Sequence, residues 1–169
     1  LHASHGYAVA LLPDFAENFQ LDLHYKSAIE ALQSLNRSAC DVAGLHIPQQ
    51  LKIDDLAKRY LPLLKPRAHK VIRFITRQQG LMVRKDNPKD IQGLLDLCRV
   101  EVRFINRQND SGTRVLFDKL LLDAGINNQQ INGYQEQEFT HSAVAAYVAA
   151  DMADVGFGVA AAAHQFGLH

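Results

Sequence analysis

The chain has 169 residues, 47% of them hydrophobic, and its 18 basic and 18 acidic residues cancel to a formal net charge of zero at pH 7. That apolar share is enough for a globular core, in one domain or two small lobes. The charge balance excludes a broad nucleic-acid-binding surface or a polybasic membrane face, and with Trp absent and aromatics at 8% a stacking platform for single strands or sugars is excluded as well.

In chain order, Leu1-His2-Ala3-Ser4 reads as the end of a strand, followed by a helix from about His5 to Asn18. Leu21 to Lys26 alternates as a strand does. Ser27 then caps a helix whose apolar positions Ile29, Leu32 and Leu35 recur at three-residue spacing. Asp41 to Ile47 is a short strand ended by Pro48, and a charged helix spans Ile53 to Tyr60. Two apolar strands, 71–77 and 80–84, flank a bend at Gln78-Gln79-Gly80, which is the expected crossing between two lobes. Beyond the Asp86-Asn87-Pro88 turn come a short helix from Ile91 to Leu97, a strand over 101–105 and a helix over 112–124 that stops at Gly125. Gly133 marks a connector, a helix runs from about Thr140 to Ala150, and Asp154 to Gly158 forms a last short strand before an Ala-rich helix. Strands alternating with helices predict parallel α/β layers.

Cys40 and Cys98 stand outside any C-x-x-C or Cys/His cluster, so they read as buried free thiols rather than zinc ligands. Free thiols favour a reducing compartment, which makes a cytoplasmic location the expectation, with a periplasmic one as the alternative if a signal peptide has been removed. No run approaches the ~18 apolar residues of a membrane span, and no signal peptide pattern is visible.

Three helix starts are polar in the same manner: Ser4-His5, Ser111-Gly112-Thr113 and Thr140-His141-Ser142. A helix N-terminus presents unpaired N–H groups and about half a positive charge. Hydroxyl donors beside it, and a glycine that allows close approach, complete an oxyanion cradle. Asn106 and Arg107 stand at the carboxyl edge of the preceding strand, where α/β folds bind ligands. Arg107 can serve an anion or equally pair with Asp110. Arg114 lies in the first helical turn, where a cation is disfavoured unless an anion or solvent offsets it. The alternative for each Ser and Thr is plain helix capping. His5, His46 and His141 have no metal-ligand spacing, and no metal or cofactor is expected. Acyl or phosphoryl transfer by Ser111 with His141 as base is a further alternative, although neither a Gly-x-Ser-x-Gly elbow nor a Gly-rich phosphate loop is present.

Gly80-Leu81-Met82-Val83, Val102 to Gln108, Ser111 to Leu116, Thr140 to Ala145 and Ala153 to Gly158 together resemble a known domain. It is the periplasmic-binding-protein-like (type II) substrate-binding domain of the kind joined to bacterial helix-turn-helix regulators, and the chain is more distantly similar to molybdate- and tungstate-binding proteins. The resemblance implies a two-lobed α/β fold, truncated at both ends, with lobe one over residues 1–80, lobe two over 81–169 and a hinge near 78–84. It implies a non-catalytic sensor or solute-binding domain that holds a tetrahedral oxyanion such as molybdate or tungstate in an interlobe cleft. Ser4, Ser111 and Thr113 would contact the ligand, with Asn106, Arg107 and His141 nearby; His5, Gly112 and Thr140 complete the expected set. The same fold holding a small organic anion or a molybdenum-cofactor precursor is the alternative. The family also implies a DNA-binding module outside these residues, no direct nucleic-acid contact by this segment, and a homodimer.

Overall fold

Short strands followed by helices build two α/β units, Leu1–Ile75 and Thr76–His169. The structure is a computed structural model that describes residues 1–4, 6–47, 49, 53–109 and 111–169, with the side chains of Ile53, Asp55, Leu56 and Arg59 outside the description. The expected lobe boundary after residue 80 falls inside a strand of the second unit. Expectations that rested on His5, Pro48 and Asp110 lie outside the described residues.

In the first unit, β1 (His2–Ala3) lies between β2 (His24–Tyr25) and β3 (Ala43–Gly44), and both pairings are parallel. A Cβ on Gly44 would stand 2.7 Å from that of Ala3. Helix α1 (Tyr7–Leu11) is shorter than expected and tightens into a 3₁₀ turn over Leu12–Phe15 at Pro13, which has no N–H to continue the α pattern. Helix α2 (Ala28–Asn36) starts as its sequence demands. Ser27 Oγ accepts from the Glu30 N–H at 3.3 Å, and the Glu30 carboxylate accepts from the Ser27 N–H at 3.0 Å. It buries Ala31 and Leu32. Helix α3 (Ile53–Tyr60) follows.

The expected strand over 71–77 does not form. No strand pairing is described there, and Val71, Ile72, Phe74 and Ile75 are exposed. β-branched and aromatic residues favour a strand only where a neighbouring strand accepts their backbone bonds.

The second unit carries a four-stranded sheet in the order β4-β7-β5-β6, formed by β4 (Gln79–Val83), β5 (Phe104–Arg107), β6 (Gln137–Glu138) and β7 (Val155–Val159). β5 is parallel to both β6 and β7, but β4 runs antiparallel to β7, which departs from the all-parallel expectation. Helix α4 (Gly112–Asp123) covers one face. Phe117 stacks on Phe104 at 4.8 Å and lies 5.2 Å from Phe157, with Leu97, Leu121 and Val155 closing the same core. Helix α5 (His141–Ala149) covers the other face, close enough that a Cβ on Gly156 would meet Val144 Cγ1 at 2.5 Å. Alternation along β7 therefore sends Phe157 to α4 and Gly156 to α5. The last helix, α6 (Ala160–Gln165), starts directly from β7. Gly133 is held at φ +86°, and a Cβ there would lie 2.1 Å from the Phe104 carbonyl oxygen, so the connector needs glycine for both reasons.

No described helix is long and apolar enough to cross a membrane. Cys40 and Cys98 are free, and both are half-buried rather than buried.

Candidate ligand-binding site

Strand direction collects the polar helix starts of the second unit at one sheet edge. β5, β6 and β7 all end there, and the chain leaves each of them into a helix. Because β4 is antiparallel, its amino end lies at that edge as well.

Ser111 caps α4. Its Oγ accepts from the Arg114 N–H at 3.0 Å, and its carbonyl accepts from the Val115 N–H at 3.1 Å. Among the described residues no hydrogen bond takes up the N–H groups of Gly112 and Thr113, the first-turn donors that an anion can use. Thr140 caps α5 in the same way, its Oγ1 accepting from the Ala143 N–H at 3.0 Å. The two helix starts meet where Thr113 Oγ1 lies 3.4 Å from His141 Nε2, with both residues almost fully buried. Gly158 makes room for the imidazole: a Cβ there would stand 3.3 Å from His141 Nδ1 and 2.6 Å from Met82 Cε.

Asn106 and Arg107 are buried at the end of β5. The Asn106 amide donates to the Tyr134 carbonyl at 3.1 Å, and its oxygen accepts from the Arg107 N–H at 3.0 Å. The Arg107 guanidinium donates to the carbonyls of Glu138 at 3.2 Å and Phe139 at 2.9 Å, tying β5 to the link between β6 and α5. Both side chains thus brace the loops that present the helix starts. Arg114 turns away from them. Its Nε donates to Asp118 at 3.0 Å, its Nη1 to the Arg107 carbonyl at 3.2 Å, and its guanidinium lies 4.1 Å above the Tyr134 ring. Asp118 and the ring, rather than a ligand, offset the cost of a cation in the first turn.

In the first unit, Ser4 follows β1 and does not cap α1, whose N-cap is Gly6. Its Oγ is buried and has no hydrogen bond among the described residues.

The opposite edge of the second sheet is held by charge. The Asp154 carboxylate accepts from the Arg103 N–H at 2.8 Å and from its guanidinium at 2.9 and 3.1 Å. Asp151 accepts from Arg84 at 2.8 Å and from Arg103 at 2.9 Å. Burial pushes the Asp154 carboxyl upward, but the Arg103 hydrogen bonds and charge outweigh it and hold the group below the usual carboxylate range. These four residues pin the register in which Phe104 faces Val155. The partners lie 48 to 67 residues apart in the chain, so no local sequence pattern marks them.

Comparison with known proteins agrees with this architecture. A family model described as the PBP superfamily domain matches residues 11–169. A Bacillus subtilis (strain 168) protein, "Uncharacterized protein YvgK", is 36% identical over 141 residues, which are 83% of this chain and 46% of that protein. The chain therefore spans less than half the length of this curated relative. Among solved structures, the substrate binding domain of a putative molybdenum ABC transporter from Clostridium difficile is similar with a TM-score of 0.51 and 19% identity, over 94% of this chain and 69% of that one. An ancestral arginine-binding protein bound to arginine gives 0.53 and 15% over 95% and 66%. An ABC-type phosphate transport receptor from Vibrio cholerae gives 0.52 and 13% over 95% and 71%. At such identities the likeness concerns the fold alone.

Proposed function

The chain belongs to the PBP superfamily, and from that premise we propose that it is a non-catalytic ligand-binding domain whose second unit holds a small anion where α4 and α5 begin. The observation that carries this is the start of α4. Ser111 meets the need of one first-turn N–H, while among the described residues no acceptor takes up those of Gly112 and Thr113, beside the buried Thr113–His141 contact. Fixed N–H groups with a partial positive charge suit a ligand whose oxygens carry negative charge.

A tetrahedral oxyanion, with molybdate or tungstate first, is the proposed ligand. The molybdenum-transporter and phosphate-receptor neighbours are named for ligands of that kind. A small organic anion is the second proposal, favoured by the arginine-binding neighbour, since arginine presents a carboxylate. Binding is favoured over acyl or phosphoryl transfer because the Ser111 oxygen is engaged as a helix cap and His141 Nε2 faces Thr113. A nucleophilic serine would need that imidazole as its own base. A DNA-binding module and a homodimer in a longer protein are proposals that rest on the family resemblance.

Calorimetric titration with molybdate, tungstate, sulfate, phosphate and L-arginine tests the proposal. Binding of at least one of them at micromolar concentration or tighter is expected. If all five give no heat and no thermal stabilisation, the anion-binding function is wrong.

A further inference from the structure

Arg77 is a guanidinium left over by the fold. It stands at the amino end of the second unit, two residues before Gln79, and it is only partly exposed. No ion pair and no hydrogen bond joins it to any described residue, whereas Arg84, Arg99, Arg103 and Arg114 each have a carboxylate within reach. Burial pushes its pKa down to about 10, and no ion pair with a described residue restores it. The group stays charged at neutral pH and bears a desolvation cost that nothing in the described chain offsets.

Its position gives that cost a purpose. β4 runs antiparallel to β7, and the pairing continues one residue before β4, where the Ala160 N–H donates to the Gln78 carbonyl at 3.2 Å. Gln79 is paired with Val159, at the carboxyl end of β7. Arg77 therefore approaches the same sheet edge from which α4 and α5 start. Gln79 lies at the spacing at which a strand's side chains share a face, and its Oε1 is buried without a hydrogen bond among the described residues. Among the described residues, a charged donor and an amide oxygen, two residues apart and both without a hydrogen-bond partner, thus stand at the end of the sheet from which α4 starts, on the β4 side and two strands from β5.

Resting on the anion-binding function proposed above, we infer that Arg77, with Gln79 beside it, is the charge-recognising element of this site. Its planar fork receives two oxygens of a tetrahedral oxyanion or of a carboxylate. The helix starts supply partial charge and Arg77 supplies the full one. Gln79 contributes a neutral contact, since an amide can turn to offer either its oxygen or its nitrogen.

The full chain, as wild type, Arg77→Gln, Arg77→Lys and Gln79→Ala, is titrated calorimetrically with sodium tungstate, sodium phosphate and L-arginine. The tetrahedral and carboxylate arms separate the two sources of the same oxygen chemistry. Arg77→Gln is expected to weaken whichever anion the wild type binds by about 10- to 100-fold, the range of a charge-assisted hydrogen bond. Arg77→Lys is expected to recover part of that loss, because it keeps the charge but not the fork. The thermal midpoint of Arg77→Gln without ligand should equal or exceed that of the wild type, since an unpaired buried charge is removed. The NMR signal of the Arg77 Nε–H should shift on addition of the bound anion, a readout that a mere packing role would not move. If the wild type binds an anion while Arg77→Gln matches it within twofold and the Nε–H signal stays still, the assignment of Arg77 is overturned and the anion site stands. If the wild type binds no anion, both fall together.

Discussion

Thr113 Oγ1 and His141 Nε2 lie 3.4 Å apart in the interior, joining the first turns of α4 and α5 across 28 residues of sequence. The contact makes one polar surface from two helix starts, each of which alone would be an ordinary cap. It also sets the orientation of the imidazole, which Gly158 accommodates by having no side chain.

Thr113→Val keeps the shape of the side chain and removes its hydroxyl. The loss should cost about 1 to 3 kcal/mol of unfolding free energy, the range for a buried polar group deprived of its partner. Urea denaturation measures it. Anion affinity should fall in the same variant, while Thr113→Ser, which restores the hydroxyl, should recover binding more fully than stability.

Ser111→Ala removes the oxygen that accepts from the Arg114 N–H. Loss of such a cap costs about 1 kcal/mol, so the domain should stay folded by circular dichroism. Ser111→Leu places bulk at the opening of the helix start and should abolish anion binding in calorimetry while its far-ultraviolet spectrum stays that of the wild type. A Ser111→Leu variant that binds normally would remove the start of α4 from the site.

Gly133→Ala sets a Cβ 2.1 Å from the Phe104 carbonyl and forces a side chain onto a backbone at φ +86°. Strain at such a position, together with a backbone clash, should destabilise by about 3 kcal/mol or more. The thermal midpoint should drop sharply, whereas alanine at Gly93, where a Cβ meets nothing within 4 Å, should be mild.

Acid should weaken the second unit through its carboxylates. For Asp154, burial acts upward and the Arg103 hydrogen bonds act downward and prevail, leaving the folded-state value below the ordinary one of about 3.9. Hydrogen bonds from Arg84 lower Asp151, and those from the Gln92 and Gly93 N–H groups lower Asp96. A depressed carboxyl contributes stability that is fully present above the unfolded-state value and is lost as pH falls through the folded-state value. Stability should thus be flat near neutrality and decline below about pH 4. Asp154→Asn should be less stable at pH 7 and show a shallower acid decline, as followed by thermal midpoints between pH 7 and pH 2.5.

The starts of α2, α4 and α5 were legible from residues alone, whereas Ser4 does not cap α1, whose N-cap is Gly6. Ser27 with Glu30, Ser111 and Thr140 each cap the helix their position indicates, and α4 ends one residue short of the expected 124. Capping and helical periodicity act within four residues of chain, so neighbours in sequence suffice to specify them. The alternation of strands and helices likewise indicated an α/β fold. Strand partnership was another matter. Val71 to Ile75 has the composition of a strand yet stays exposed, and Gln79 to Val83, read as part of a crossing, pairs antiparallel with β7.

The same contrast divides the arginines. From its place in the first turn, Arg114 could have served an anion, yet packing hands it to Asp118 and Tyr134. Arg77 closed a stretch that looked like a strand, and the fold leaves it at the sheet edge without a counter-charge among the described residues. Local bonding dictated where the polar helix starts lie. Which of them meet, and where Arg77 stands relative to them, depends on contacts between segments tens of residues apart. Hydrophobic burial and strand direction set those contacts, and no short stretch of residues contains them.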